Sequence, residues 1–102
     1  MGGVLTVISR VETKYDGRVQ GVGFRMRVLD ISAGYQVCGR VRNASDASVR
    51  LLAEGTPQEL QAFLTDIRQT LARNIVDEKS EWTEIEAAEF EDFKIAEDLI
   101  VR

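Results

Sequence analysis

The stretch DGRVQGVGFR, Asp16–Arg25, places three glycines and two arginines between a strand pattern and a helix pattern. Because glycine has no Cβ, the backbone at Gly21 and Gly23 can adopt positive φ and approach a ligand closely. Successive N–H groups in such a turn can bind an anion, and a helix beginning near Phe24 would add its unpaired N–H groups and its dipole. Arg25 adds a planar set of donors suited to phosphate oxygens. The stretch predicts a phosphate-binding connection between a strand and a helix.

Regular patterns of apolar residues lie on both sides of this loop. From Val11 to Tyr15 apolar and polar side chains alternate, which predicts a half-buried strand. After the loop, apolar residues recur at helical spacing from Phe24 to Ala33, and Gly34 can end the helix. The loop therefore joins a strand over 11–15 to a helix over 24–33.

Two more strands and a second helix follow. Strand patterns at residues 37–43 and 48–54 flank the sequence ASDA, which is typical of a hairpin turn. In TPQE, Thr56 can cap a helix, Pro57 suits its first position and Glu59 can complete a capping box. The helix continues through apolar residues at amphipathic spacing: Leu60, Phe63, Leu64, Ile67 and Leu71.

The last part of the chain predicts a polar connection and two strands. The connection covers residues 74–79, and EWTEIEA, residues 81–87, predicts a strand with Trp82, Ile85 and Ala87 facing inward. A short strand is expected at 93–95. The order is β-α-β-β-α-β, which predicts a ferredoxin-like α+β sandwich with two helices on one face of an antiparallel sheet, and the short segment as a fifth strand. No repeat or linker divides the chain, so we expect one domain over residues 1–102.

The composition excludes several kinds of chemistry. The net charge of −4 argues against a general nucleic-acid or anionic-membrane binder. The chain contains no histidine, which removes histidine bases and metal ligands, and the single cysteine, Cys38, excludes an internal disulfide and a cysteine zinc site. Neither a signal peptide nor a long apolar segment is present, and we expect a cytoplasmic protein.

Two motifs resemble one known family. GRVQGVGFR, residues 17–25, is similar to the signature of the acylphosphatases, and GRVRNASDASV, residues 39–49, is similar to their second motif. The resemblance covers roughly residues 10–95. Residues 1–9 would then be an N-terminal extension and residues 96–102 a C-terminal tail.

The resemblance implies hydrolysis of the carboxyl-phosphate bond of an acyl phosphate, without a metal or cofactor. The phosphoryl group would be held by the Arg25 guanidinium and by the backbone amides of the loop, which belong to Gln20, Gly21, Val22, Gly23, Phe24 and Arg25. Asn43 would hold the attacking water. Inorganic phosphate or sulfate would bind as a product-like ligand, and we expect a monomer without nucleic-acid or membrane partners.

The sequence departs from the family pattern at two positions, which bear on affinity and substrate fit more than on the reaction class. Arg40 stands where the family usually has an aromatic residue, and Ala47 replaces a turn glycine, which suggests a different turn type. A second function is also open: a non-catalytic acylphosphatase-like domain that binds phosphate or carbamoyl phosphate, or a regulatory domain. An RNA-recognition module is disfavoured because the predicted outward positions of the sheet carry no aromatic residue. We expect Cys38 and Trp82 to be structural, and Arg40 and Arg42 to lie on the open face of the sheet.

Overall fold

The computed structural model describes residues 7–102, and in this part of the chain five strands and two helices form one sheet with a helical layer. The elements are β1 (Ile8–Gly17), α1 (Phe24–Ser32), β2 (Cys38–Asn43), β3 (Val49–Gly55), α2 (Pro57–Thr70), β4 (Ile75–Ile85) and β5 (Phe93–Ile95). The sheet order is β4-β1-β3-β2-β5. All pairs are antiparallel except β2 with β5, which is parallel. The predicted ferredoxin-like sandwich and its fifth strand are confirmed.

The core lies between the helices and one face of the three central strands. Val11 and Tyr15 of β1, Val41 of β2 and Leu51 of β3 are buried there and alternate with exposed or half-buried neighbours. Fully burying one such side chain contributes roughly 1.5–3 kcal/mol. In α2 the amide of Glu59 donates to Thr56 Oγ1 at 3.3 Å, so the helix begins as its sequence predicts. This packing presents the β1–α1 loop at one end of the sheet.

The structure corrects the prediction for the segment before Trp82. Residues 75–79, expected as part of a polar connection, already belong to β4, which pairs with β1 along its whole length. As an edge strand, β4 is held mainly by backbone hydrogen bonds, and most of its side chains are exposed on both faces. Trp82 pairs with buried Val11 and so lies on the core side of the sheet, but at this edge it remains 43% exposed. Ala87 lies beyond the strand, so the expectation of an inward strand position is wrong for Ala87. No apolar alternation could mark such a strand in the sequence.

The β2–β3 hairpin keeps a left-handed residue despite its alanine. Ala47 has φ 72°, its amide donates to Ala44 O at 3.1 Å, and the Ala44 amide donates to Ser48 O at 2.9 Å. A tight turn followed by an αL residue is the usual form of a three-residue hairpin loop. The expected change of turn type at Ala47 is therefore wrong, because the surrounding pairing imposes the conformation on a residue that tolerates it poorly.

Parts of both expected extensions are joined to the sheet. Of the expected N-terminal extension, residues 1–6 lie outside the described residues, and Ile8 and Ser9 belong to β1. The expected C-terminal tail continues the line of β5 past the end of β2. Its amides at Ala96 and Leu99 donate to Val41 O at 2.9 Å and Asn43 O at 2.8 Å. No helix in residues 7–102 has the length and apolar character needed to cross a membrane.

Candidate active site

The loop between β1 and α1 is fixed by two buried side chains and opened by two glycines. Val19 and Phe24 are buried, whereas Val22 at the outer side of the loop is 45% exposed. Gly21 and Gly23 have φ 73° and 78°, and a Cβ added to either would meet no atom within 4 Å in the described part of the chain. These glycines are therefore required by backbone conformation and not by crowding, and the backbone beside them faces open space.

Hydrogen bonds to the rest of the fold hold this loop in place. The Arg18 amide donates to Asn74 O at 2.9 Å, and the Asn74 side chain returns a bond to Arg18 O at 3.0 Å. The Gln20 side chain donates to Ala44 O at 2.9 Å and to Ser48 O at 2.8 Å. Gln20 thus ties the loop to the hairpin that follows β2, and only its backbone amide is left for a ligand.

Helix α1 begins at the end of the glycine loop. Gly23 is its N-cap, and the first helical hydrogen bond runs from the Arg27 amide to Gly23 O at 3.0 Å. The amides of Phe24, Arg25 and Met26 therefore have no partner within the helix. With the helix dipole, these donors favour an anion at this end. The 35% exposed Arg25 side chain extends from the first turn, and its Nη1 lies 4.0 Å from Asp98 Oδ1.

Asn43 stands at the end of β2 with its side chain uncommitted. Its Oδ1 is buried, and no group in residues 7–102 forms a hydrogen bond with it. Its backbone carbonyl accepts from the Leu99 amide, next to the Asp98 that approaches Arg25. Because Asp98 and Leu99 are consecutive, the tail brings Arg25 and Asn43 to the same end of the sheet. The sequence-predicted pair and the glycine loop are thus neighbours.

Sequence reasoning missed the contribution of the C-terminal tail to this site. Residues 96–102 were expected only as an extension beyond the family resemblance, yet Asp98 is the carboxylate that pairs with Arg25. No local pattern in EDLIVR marks such a contact, because it depends on the parallel pairing of β5 with β2. Asp98 competes with a bound anion for the Arg25 guanidinium. The anion would either displace Asp98 or share the guanidinium with it.

Among the described residues, the phenol of Tyr15 and the thiol of Cys38 are not activated as nucleophiles. Tyr15 packs against Phe24 with ring centroids 5.3 Å apart, and burial, reinforced by the Glu78 carboxylate, raises the pKa of Tyr15 well above its ordinary value. Cys38 begins β2 at the end opposite Asn43, and burial and the neighbouring Glu54 raise the pKa of its thiol as well. Both groups are protonated at neutral pH. In residues 7–102, the geometry near the loop thus consists of anion-facing donors and a free amide oxygen, without support for attack by Tyr15 or Cys38.

Comparison with known proteins identifies the family. The family model described as Acylphosphatase matches residues 11–95. The chain belongs to the acylphosphatase family. An acylphosphatase of Lactiplantibacillus plantarum is 39% identical over 85 residues, which cover 83% of this chain and 94% of the relative. The match includes the glycine loop, Arg25 and Asn43, so the resemblance seen in the two motifs extends over most of the molecule.

Solved structures agree with this assignment. The acylphosphatase of Bacillus subtilis is 30% identical with a TM-score of 0.69, over 86% of this chain and 98% of that chain. A crystal structure of full-length HypF in a phosphate- and nucleotide-bound form is 30% identical with a TM-score of 0.79, over 97% of this chain but 13% of that chain. The chain is an acylphosphatase, an enzyme that hydrolyses acyl phosphates, and nothing favours the non-catalytic alternative.

Proposed function

We propose that this acylphosphatase cleaves the carboxyl-phosphate bond without a metal ion, with the phosphoryl group held by the loop and Arg25 and the water held by Asn43. The observation that carries the proposal is the placement of three elements at one end of the sheet. These are a positive-φ glycine loop, the open N-terminus of α1 with Arg25, and the uncommitted amide of Asn43. We also propose that residues 1–102 form one domain. We propose the cytoplasm as its location, because a chain whose only cysteine is Cys38 needs no oxidising compartment to form a disulfide.

The loop supports the phosphate-holding role because it supplies donors that need no rearrangement. Backbone amides from Gln20 to Arg25 would take the phosphate oxygens, and the Arg25 guanidinium would hold two of them in bidentate fashion. These donors stabilise the negative charge that grows on the equatorial oxygens in the transition state. Gln20, through its side-chain bonds to the β2–β3 hairpin, keeps the loop in shape before the substrate arrives.

The hydrolytic step needs only positioning of the water. The water oxygen, held by the Asn43 amide, attacks phosphorus, and the bond between phosphorus and the carboxyl oxygen breaks. The carboxylate leaves with the electron pair of that bond, and the proton of the water passes to a phosphate oxygen of the substrate. A carboxylate is a good leaving group, so no general acid is required. This accounts for a site in a chain without histidine.

The test is benzoyl phosphate hydrolysis by wild type, Arg25→Ala and Arg25→Lys proteins in excess chelator. We expect full wild-type turnover with chelator, and a loss of at least about a hundredfold in kcat/KM for Arg25→Ala, the scale of removing one key oxyanion donor. Arg25→Lys is the matched control for charge. It should also be poor, because an ammonium cannot replace a planar bidentate group.

Two results would contradict the proposal. Near-wild-type turnover of Arg25→Lys would mean that only a positive charge is needed at this position. A loss of activity in chelator that only added divalent metal restores would rule out the metal-free mechanism. Negligible turnover of the wild type with intact phosphate binding would instead support the non-catalytic function.

A further inference from the structure

The face of the sheet that the helices leave uncovered carries a groove of about 510 Å³. Five of its lining side chains are basic, and an aromatic ring closes one side: Lys14, Arg40, Arg42, Arg50, Lys79 and Phe90. Among residues 7–102, the acidic residues that line it are Glu12 and Glu81. A volume of this size is in the range of small-molecule sites. The net charge of the chain is −4, so the cluster of basic residues in this groove does not follow from the overall composition.

Four of the basic residues form one row across four strands. Lys79 pairs with Lys14, Lys14 with Arg50, and Arg50 with Arg42 in the strand registers. Strands lie about 4.8 Å apart, so the row is roughly 14 Å long. Like charges directly opposite each other on a sheet are destabilising. Three successive like-charged pairs therefore weaken the fold unless an anion covers them.

The structure neutralises part of this row and leaves one cation over. Within the row, Asp46 pairs with Arg50 at 2.8 Å and with Lys14 at 3.7 Å, and Asp77 pairs with Lys79 at 3.8 Å. Beside the row, Asp92 pairs with Arg40 at 3.0 Å. In residues 7–102 no carboxylate pairs with Arg42, although its side chain is half-buried. A half-buried guanidinium facing another arginine is the strongest point of attraction for an anion in the groove.

The apolar side of the groove is held in place by a buried ion pair. Glu54, fully buried, accepts from Arg10 Nη2 at 2.7 Å and from the amides of Glu89 and Phe90 at 2.7 and 3.2 Å. These bonds fix the loop after β4 against the sheet. The Arg40 guanidinium lies 4.7 Å from the centre of the Phe90 ring. Leu52, paired with Arg40, extends this apolar side of the groove, and Leu99, bridged to Ala44, lines the groove beyond Arg42.

We propose that this groove binds a small organic polyphosphate, with its phosphates on Arg42 and Arg50 and its apolar or aromatic body against Phe90 and Leu52. Arg42 and Asn43 are consecutive in β2 and face opposite sides of the sheet, so this site is separate from the glycine loop. The opposed pair Glu12 and Glu81 borders the row on one side.

The charge pattern also limits the size of the ligand. On the other side of the row, Asp16 and Asp77 are paired across β1 and β4. On these two strands the row therefore lies between two acidic pairs and is a single residue wide. A nucleic-acid backbone crossing this face would meet these carboxylates. A compact ligand of the size of a nucleoside diphosphate would not, because it fits between the row and the Phe90 ring.

The experiment is a titration of the full chain with ADP at low ionic strength, followed by amide chemical shifts, with wild type, Arg42→Gln and Arg25→Ala proteins. We expect wild-type shifts at β2, β3 and Phe90, kept in Arg25→Ala and weakened at least about tenfold in Arg42→Gln, the scale of one lost charged hydrogen bond. Pyrophosphate and adenosine alone should each bind more weakly than ADP. Arg42→Gln should also melt at a higher temperature, because it removes the repulsion with Arg50.

Several outcomes would overturn the proposal. ADP shifts confined to residues 17–25 and lost in Arg25→Ala would place the nucleotide at the loop. The absence of groove shifts at millimolar ADP, or tighter binding of a single-stranded oligonucleotide than of ADP, would exclude a small polyphosphate as the ligand. Unchanged binding by a folded Arg42→Gln protein would exclude the basic row. Because the groove readout persists without Arg25, its failure is distinct from failure of the catalytic proposal.

Discussion

Asn43 and Arg25 differ in charge and in the contacts that their side chains make, so we expect different roles for them in the candidate site. The Arg25 guanidinium is charged and faces Asp98 at 4.0 Å, so its attraction for an anion is moderated by a neighbouring carboxylate. Asn43 carries no charge, and its amide oxygen is without a partner in residues 7–102. Arginine is suited to holding the phosphate, whereas the amide is suited to orienting a water.

This division predicts how Asn43→Ala should behave. We expect kcat for benzoyl phosphate to fall by at least about a hundredfold, because water positioning matters in the reaction. The inhibition constant of inorganic phosphate should stay within about twofold of wild type, because the amide contributes little to holding the anion. Asn74→Ala is the matched control: its side chain bonds Arg18 O at 3.0 Å and serves the loop, not the water. If Asn43→Ala lost phosphate binding as severely as Arg25→Ala, Asn43 would belong to the phosphate cradle.

At the scale of single residues, the sequence predicts positions better than contacts. Gly21 and Gly23 have the positive φ that the loop pattern predicts. The use of the Gln20 side chain as a tie to Ala44 and Ser48 could not be foreseen, because its partners are backbone carbonyls more than twenty residues away. The approach of Asp98 to Arg25 was equally hidden. A family resemblance thus indicates which residues form the site, but it does not indicate the hydrogen bonds and ion pairs that position them.

The helices and strands of the fold differ in how well their sequences predict them. Helix α2 carries a cap, a proline at its first position and an apolar stripe, and its observed start at Pro57 agrees with all three. Strand β4 carries none of these signals before Trp82. Its residues are held by pairing with β1, a contact between segments some 60 residues apart. Local chemistry fixes α2, whereas only the assembled sheet fixes β4.

The hairpin between β2 and β3 gives a prediction at the scale of one element. Ala47 is held at φ 72°, where a Cβ costs roughly 1–2 kcal/mol and glycine costs little strain. We expect Ala47→Gly to increase the free energy of unfolding by roughly 1 kcal/mol, measured by urea denaturation. Ala44→Gly is the control, because Ala44 has no positive φ and is buried, so it should destabilise. A loss of stability in Ala47→Gly would mean that the entropy of the unfolded chain outweighs the strain.

On the scale of the whole molecule, one strand of this acidic chain contributes a residue to each of the two proposed sites. β2 carries Asn43 toward the candidate active site and Arg42 toward the groove. The net charge of −4 repels large polyanions, so both proposed sites attract anions only through local donors. The C-terminal tail touches both, because Asp98 faces Arg25 and Leu99 lines the groove. Binding on one side therefore has a physical route to influence the other.

Anion binding should therefore stabilise the native fold in a way that distinguishes the two sites. The loop exists only in the folded protein, so sulfate at a hundredfold excess over its Kd should stabilise by about 2.7 kcal/mol, which raises Tm by roughly 10–20 °C for a domain of this size. Sulfate also stabilises proteins by exclusion from their surfaces, with a linear dependence on concentration. We expect a saturable rise in the wild type and in Arg42→Gln, measured by thermal denaturation. Arg25→Ala should show only the linear rise, because it keeps the surface and loses the guanidinium. Equal and unsaturable shifts in all three proteins would mean that the glycine loop is not the anion site.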